Sequence, residues 1–236
     1  MNVNFQPSFL GLKTFKCRNA YILKHYYART RNNAQVQIST KCETVDNSFE
    51  TLITYPNRLL DELGYSQYKI RKNYMFIESM HTDSHERDLG LGTCLHLHNI
   101  MEMLENNIEI MELQASAHAI PFHIRLGFKP CDIWQDDMIR NMRVISSEKD
   151  LILRHYAEDA KFLLGCDYDK DLKARLANQL IYDYLTDAIK IKDRDELPKL
   201  IRRPAIMCLK KHEVLENKDF YNELFKKYKI DYEIKD

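Results

Sequence analysis

The fold of this chain is decided by residues 74–92, which read YMFIESMHTDSHERDLGLG. Tyr74–Thr82 is rich in apolar, aromatic and β-favouring residues over a length typical of strands. The polar run Asp83–Glu86 cannot continue a buried strand. Apolar residues then recur through Thr93–Glu105 at the spacing of a helix with one buried face. The stretch therefore predicts a strand, a polar turn and a helix whose entry carries two glycines.

Those glycines, Gly90 and Gly92, predict a backbone that a ligand can approach closely, because glycine has no Cβ. The first amide groups of a helix have no partner within it, and together with the helix dipole they favour an anion. No Gly-Lys-Ser/Thr follows, which excludes a Walker loop, and the third glycine of a dinucleotide fingerprint is missing.

Two motifs, in this order, resemble those of the GNAT acyltransferase superfamily. Arg87–Gly92 has the form R-x-x-G-x-G of the family's acetyl-CoA pyrophosphate loop. Ser116–Phe128 resembles the family's N-x-x-A-x-x-[LF]-Y-x-x-x-G-F segment, with serine for asparagine and His123 for tyrosine. Ile108–Ala115 reads as the strand between the motifs. The resemblance covers about residues 70–145.

The resemblance implies a mixed α/β (α+β) fold with a mostly antiparallel central sheet flanked by helices, followed by a C-terminal helical extension. We therefore expect a GNAT-like domain over residues 1–146 and a helical part over residues 147–236. Asp137–Ile145 is expected to be the last strand of the domain. Pro56–Leu63 reads as the one short helix before Tyr74, ended by Gly64.

Outside the resemblance, apolar patterns and turn residues predict the remaining elements. The predicted strands are Tyr21–Thr30, Ala34–Thr40 and Phe49–Tyr55, with a hairpin turn at Arg31–Asn33 between the first two. Lys129–Trp134 reads as strand or loop. The predicted C-terminal helices are one that is capped by Ser147 and stops at Gly165, one over Asp169–Lys192, and a last one over Lys218–Lys227.

Composition limits the classes of function. The chain has 236 residues, with 35 Lys and Arg against 35 Asp and Glu, and this neutral balance argues against a nucleic-acid partner. No apolar run of membrane-spanning length and no signal peptide is present, so no membrane association is expected. The six cysteines are scattered, which favours reduced thiols in the cytoplasm, although a protein exported without a signal has the same features. No metal site is expected from the His81/His85 and His96/His98 pairs, because no further ligands complete a tetrahedral set.

The resemblance implies acetyl-CoA as the cofactor and assigns it mainly to backbone groups. The diphosphate falls to the residues of the glycine loop, which are Arg87, Asp88, Leu89, Gly90, Leu91, Gly92 and Thr93. Met80, His81 and Thr82 are expected to bind the pantetheine arm and to polarise the thioester carbonyl. In the family, the strand that carries these residues has a bulge. Ser116 and Phe122 are further expected contacts, and His118 is a weaker one. Asp88 and Leu89 depart from the family, which commonly has a small and a basic residue there.

Glu78 is the expected general base, acting through a water. Alternation along the strand predicts that it shares a face with Met80 and Thr82, and a carboxylate within an apolar strand is expected to be desolvated. A partly exposed or ion-paired glutamate is the alternative, and His81 is the competing base. His123 stands where the family has a tyrosine that protonates the departing thiolate.

The sequence therefore predicts an acetyl-CoA-dependent N-acetyltransferase acting on a primary amine of a small molecule or a protein. A CoA-binding regulatory module that acts through the helical C-terminal part is the alternative. A nucleic-acid-modifying acyltransferase is a third hypothesis, which the neutral charge disfavours. Whether the chain forms a homodimer stays open.

Overall fold

A computed structural model describes residues 15–17, 20–43, 48–56, 58–86, 88–133, 135–192 and 201–235. The chain divides into two compact units. The first comprises residues 1–111 and 210–236, and the second comprises residues 112–209. These limits differ from residue 146, where the sequence predicts the end of a GNAT-like domain, and that division into domain and extension stays a prediction.

The first unit is built on six consecutive antiparallel strands. They are β1 (Phe15–Cys17), β2 (Ala20–Arg29), β3 (Gln35–Glu43), β4 (Ser48–Tyr55), β5 (Arg58–Arg71) and β6 (Tyr74–Thr82), and each pairs with the next along the chain. The expected hairpin turn joins β2 to β3, where Asn33 has a φ of 66° and Thr30 N–H donates to Ala34 O over 2.9 Å. The prediction of a mostly antiparallel central sheet flanked by helices is confirmed.

The predicted helix over Pro56–Leu63 is wrong. The chain turns at Pro56, and β5 already begins at Arg58. Gly64 does not end a helix but lies within β5 opposite Thr82, where a Cβ would stand 2.8 Å from the carbonyl oxygen of His81. Pairing of β5 with a strand on each side satisfies its backbone and outweighs the local helix signal.

Helix α1 (Leu91–Glu105) packs against β4, β5 and β6 and against a helix near the C-terminus. That helix is α7 (Lys218–Lys227), which follows α6 (Lys211–Glu216) in the same unit. Nearly all residues of α1 are buried, polar ones included, so it is the central helix of this unit rather than an amphipathic surface helix.

A polar cluster lies under the sheet where α1 meets it. His98 is buried, with Nε2 2.8 Å from Thr40 Oγ1 and Nδ1 2.9 Å from the Tyr26 hydroxyl. Burial lowers the pKa of His98 to about 3, helped by the nearby charge of Lys24. The Lys24 ammonium lies 2.6 Å from Glu102 Oε1. The imidazole is thus neutral and structural, held by partners on β2 and β3.

The described residues of the second unit form four helices and three strands. In chain order these are β7 (Ile110–Ala115), α2 (Ile120–Arg125), β8 (Lys129–Pro130), α3 (Asp136–Ile145), α4 (Arg154–Gly165), α5 (Lys170–Ile191) and β9 (Ala205–Lys210). The strands lie in the order β7, β9, β8, and β8 pairs antiparallel with β9. Asp169 caps α5 by accepting a hydrogen bond from Leu172 N–H over 2.9 Å.

Three predictions for the later part of the chain need correction. Asp137–Ile145 is not a strand but lies within α3, whose buried Met138, Met142 and Ile145 have helical spacing. The helix expected after Ser147 begins only at Arg154. The predicted C-terminal helical part is present as α4 to α7, but residues 147–236 also contain the strand β9. The predicted helices over Asp169–Lys192 and Lys218–Lys227 are confirmed.

Candidate functional site

The glycine loop leads into α1 through backbone that favours glycine. Gly90 is the N-cap residue of α1, with a φ of 81°, and Asp88 has a φ of 68°. Aspartate is among the few non-glycine residues that tolerate this left-handed conformation, which gives Asp88 a physical reason to stand there. Arg87 lies outside the described residues.

At the start of α1, backbone donors lack acceptors among the described residues. The N-cap residue Gly90 has no side chain that could cap the helix, and its carbonyl accepts the first helical bond from Cys94 N–H over 3.0 Å. The amides of Gly92 and Thr93 donate no hydrogen bond to any residue that the structure describes. Leu91 and Thr93 are buried, and Gly92 is half-buried. An anion at this corner would meet amide hydrogens and the positive end of the α1 dipole.

A tyrosine from the C-terminal segment packs against the same corner. A Cβ at Gly90 would stand 2.5 Å from Cε1 and 2.8 Å from Cζ of Tyr228, so only glycine fits beside this buried ring. Arg31 from the β2–β3 turn donates to the Tyr228 hydroxyl through Nε over 3.2 Å. Its backbone amide also donates to the carbonyl of the half-buried Leu89 over 2.8 Å. Tyr228 and Arg31 thus fix one side of the loop. Because both residues lie far from the loop in the sequence, a local motif does not predict them.

The strand that precedes the loop contains a β-bulge. Gln67 lies opposite Ser79 and Tyr68 lies opposite Ile77, so Glu78 is the extra residue on β6. The resemblance led us to expect a bulge in this strand, and one is present opposite β5.

The bulge places Glu78 on a different face from the one that alternation predicts. Met80 lies opposite Ser66, whose hydroxyl accepts from Asn99 of α1 over 3.1 Å, so Met80 belongs to the face that packs on α1. Glu78 instead contacts Lys69, on the outer face away from α1. The expectation that Glu78 shares a face with Met80 is therefore wrong, because an extra residue breaks the two-residue period.

Glu78 is an exposed, ion-paired carboxylate. Its Oε1 lies 2.7 Å from Lys69 Nζ, and the two side chains are 36% and 32% exposed. The desolvation that the sequence suggested is absent, and the ion-paired alternative describes Glu78 better. His81, the competing base, is also exposed, lies opposite Tyr65 and contacts its ring, with 5.9 Å between centroids. Thr82 is half-buried opposite Gly64.

Beside Glu78, a polar row crosses the outer face of four strands. Ser79 Oγ donates to Gln67 Oε1 over 3.0 Å, and Gln67 Nε2 donates to Glu50 Oε1 over 3.2 Å. Lys41 Nζ lies 3.9 Å from the other oxygen of Glu50. Each of these residues lies directly opposite the next across β3 to β6, so the sheet fixes their spacing.

The second motif lies in the second unit. Ser116 and His118 are exposed, with 3.3 Å between Oγ and Nε2, and Phe122 is half-buried on α2. His123 is buried between the rings of Phe122 and Phe128, with centroids 5.3 and 5.7 Å away. Burial lowers the pKa of His123 to about 4, so at neutral pH it is a neutral imidazole rather than the imidazolium that a proton donor needs. Its catalytic role stays a prediction.

Two other features are absent from the described residues. No group of three His, Cys, Asp or Glu side chains within them has the arrangement of a metal site. No helix among those that the structure describes is long and apolar enough to cross a membrane.

No family model and no curated protein matches this chain. Solved GNAT acetyltransferases are similar to part of it. GCN5 from Tetrahymena is 20% identical over 35% of this chain and 52% of its own, with a TM-score of 0.33. The ribosomal-protein-S18-alanine N-acetyltransferase from Escherichia coli is 18% identical over 38% and 58%, with a TM-score of 0.35. PaiA N-acetyltransferase from Thermoplasma acidophilum, solved with coenzyme A, is 16% identical over 38% and 55%, with a TM-score of 0.34.

The chain thus spans little more than half the length of these structures. The similar part is 35% to 38% of this chain.

Proposed function

We propose that this protein is an acetyl-CoA-dependent N-acetyltransferase that transfers the acetyl group directly to a primary amine. The observation that carries the proposal is the start of α1. There the left-handed Gly90 is an N-cap residue without a side chain, and the amides of Gly92 and Thr93 have no acceptor among the described residues. A diphosphate supplies acceptors for such donors.

The loop and the strand before it offer backbone groups of the kind that acetyl-CoA can bind. The amides from Leu89 to Thr93 would hold its diphosphate, and the backbone of Met80, His81 and Thr82 would hold its pantetheine arm. Bound there, acetyl-CoA supplies the acetyl group as a thioester. Asp88 is exposed, so its carboxylate can point into solvent, which limits its repulsion of the diphosphate.

Glu78 is proposed to accept a proton from the acceptor amine. A primary amine reaches a neutral solution as an ammonium ion and must lose a proton before it becomes a nucleophile. The Glu78 carboxylate already holds an ammonium group, that of Lys69, at 2.7 Å. Its partial exposure leaves room for the water through which the proton would pass.

Acetylation assays with a panel of primary amines test the proposal. We expect acetyl-CoA to raise the melting temperature of the protein and at least one amine to release free CoA thiol. Glu78→Gln should lower kcat about tenfold or more while the affinity for acetyl-CoA is kept, because general base catalysis contributes at least that much. Glu62→Gln is the matched control, since Glu62 is an exposed glutamate on the neighbouring strand β5. Absence of both thermal protection and thiol release would overturn the proposal.

A CoA-binding module without turnover is the second candidate. It is favoured by the buried imidazole of His123, which is neutral at pH 7 and is not the imidazolium expected of a proton donor at that position. Saturable binding of CoA with no thiol release from any amine would select this candidate.

A further inference from the structure

We infer that Cys131 and Cys208 form a dithiol site, which a low-molecular-weight disulfide such as oxidised glutathione converts to a disulfide bond between them. Both residues belong to the second unit, and both are half-buried thiols. The inference is independent of the proposed function, because it involves neither acetyl-CoA nor an amine. It assigns a site of reversible covalent modification to the strands β8 and β9.

The first argument is the register of these two strands. Lys129 of β8 lies opposite Cys208 of β9. The pairing continues past the end of β8, since Cys131 N–H donates to Ile206 O over 2.8 Å. Side chains two residues apart on a strand point to the same face. Cys131 therefore shares a face with Lys129 and Cys208, and it is the diagonal neighbour of Cys208 across the two strands.

The second argument is contact between the two thiol groups. The Cys131 thiol donates a hydrogen bond to the Cys208 side chain, which raises the pKa of Cys131 well above its usual range. Burial raises this pKa further, as do the negative charges of Cys208, Glu112 and Asp132. Cys131 thus keeps its proton while Cys208 ionises, and the thiolate of Cys208 is the nucleophile of the pair.

The third argument is that β8 is a short strand whose end can move. It comprises two residues at the end of the strand order in this unit, and Pro130 has no N–H to donate to β9. Diagonal neighbours on paired strands lie about 7–8 Å apart at Cα, whereas a disulfide needs about 7 Å or less. Closing the bond therefore requires a shift of roughly 1 Å in the backbone at Cys131, which a short edge strand permits.

The reaction consists of two thiol–disulfide exchanges. The Cys208 thiolate attacks one sulfur of the small disulfide and forms an S–S bond with it. The other half leaves as a thiolate and takes up the proton that Cys208 had lost. The Cys131 sulfur then attacks the Cys208 sulfur of this mixed disulfide, and the second half leaves with the proton of Cys131. The protein loses two protons and two electrons, and the small disulfide is reduced to two thiols.

Peptide mapping of the full chain tests the inference. The protein is equilibrated at neutral pH in mixtures of reduced and oxidised glutathione, quenched with acid, alkylated and digested without reductant. We expect peptides linked through Cys131 and Cys208, in a yield that does not depend on protein concentration. The ratio of linked peptides to mixed disulfides with glutathione should be at least about tenfold higher than in urea, because the fold holds the two sulfurs in contact.

Two variants give the matched comparison. In Cys131→Ser, glutathione should remain attached to Cys208, because no second thiol is present to displace it. Cys166→Ser should leave the yield of linked peptides unchanged. Cys166 is likewise half-buried and in the second unit, but its thiol donates to a backbone carbonyl, that of Leu163, over 3.4 Å.

The outcomes are separable from those of the acetylation assays. Absence of the linked peptides in the most oxidising mixture, or an equal ratio in folded and unfolded protein, overturns the inference. Glutathione that persists on Cys208 of the wild type also contradicts it, since Cys131 would then fail to reach the mixed disulfide. A protein that forms the linked pair and neither binds acetyl-CoA nor releases thiol from it overturns the proposed function alone.

Discussion

Two Lys–Glu pairs of the first unit have the same chemistry and opposite surroundings. Lys24 and Glu102 meet between the sheet and α1, where their side chains are 11% and 5% exposed. Lys69 and Glu78 meet at about the same distance on the outer face of the sheet, at the bulge. The first pair is surrounded by His98, Thr40 and a second carboxylate, Glu105, and the second pair has water on one side.

The inner ion pair is structural, whereas the outer one is accessible to a ligand. A buried charge must keep its partner, because water cannot replace it. A partly exposed charge can exchange its partner for a ligand at little cost. We therefore expect ligand binding at the outer pair and not at the inner pair, although the inner pair has more hydrogen bonds.

The largest effect is expected at the inner pair. Lys24→Met would leave the buried carboxylate of Glu102 without its cation, and we expect the free energy of unfolding to fall by about 3–5 kcal/mol. Urea denaturation followed by circular dichroism measures it. A loss below about 1 kcal/mol would contradict the structural role assigned to this pair.

Asp132 of the second unit is a buried carboxylate that forms no ion pair with a lysine in the described parts of the chain. Asp132 is buried and accepts from Ile206 N–H, and burial raises its pKa to about 6, assisted by the charges of Asp137 and Glu112. The folded protein then keeps this proton to a higher pH than the unfolded chain does. Stability from this group should therefore fall as pH rises from about 4 to about 6, by up to about 3 kcal/mol.

Asp132→Asn removes that titration and keeps an oxygen for Ile206 N–H. We expect the difference in unfolding free energy between wild type and variant to change with pH across this window, when both are measured in urea at several pH values. Parallel pH profiles of the two proteins would show that the Asp132 carboxyl titrates normally.

The next test is a substitution of Gly90, at the start of α1. Gly90→Ala places a methyl group in left-handed backbone and against the Tyr228 ring, so we expect a loss of about 2 kcal/mol or more and weaker acetyl-CoA binding. Gly165→Ala is the matched control, since a Cβ there meets no atom within 4 Å and the residue ends helix α4. Comparable stability of the two variants would contradict the packing described for Gly90.

The smallest effect is expected at the outer pair. Lys69→Met should change the free energy of unfolding by less than about 1 kcal/mol, because the pair it breaks is screened by water. Urea denaturation in parallel with Lys24→Met makes the comparison direct. Equal losses for the two variants would remove the distinction between the pairs.

The elements that the sequence predicted well are those whose signal is local. Tyr74–Thr82 and Lys218–Lys227 form the predicted strand and helix with the predicted bounds, and Asp169 marks the start of α5 by capping it. Strand β5 was mistaken for a helix in its first part and β9 was missed, because strands depend on partners far along the chain. Asp137–Ile145 has apolar residues at helical spacing, whereas the family resemblance implies a strand there.

The candidate site was predictable only in part. The glycine loop could be found because positive φ restricts the residue types at Gly90 and Asp88. The face on which Glu78 lies could not be predicted, because the bulge depends on how β6 pairs with β5. The sequence of one strand does not show that it has an extra residue. Lys69 and Tyr228 follow no motif and are brought in by the fold alone.

The most direct test of the central claim uses the scarcity of glycine. The chain has only six glycines, so ¹⁵N-glycine labelling gives few amide signals, and those of Gly90, Gly92 and Gly165 can be assigned by substitution. On titration with acetyl-CoA, we predict that the Gly92 amide signal shifts most, that Gly90 shifts with it, and that Gly165 does not move. Acetylated pantetheine, which lacks the diphosphate, should leave the Gly92 signal in place. Binding of acetyl-CoA with an unmoved Gly92 amide would contradict the claim that the start of α1 holds the diphosphate.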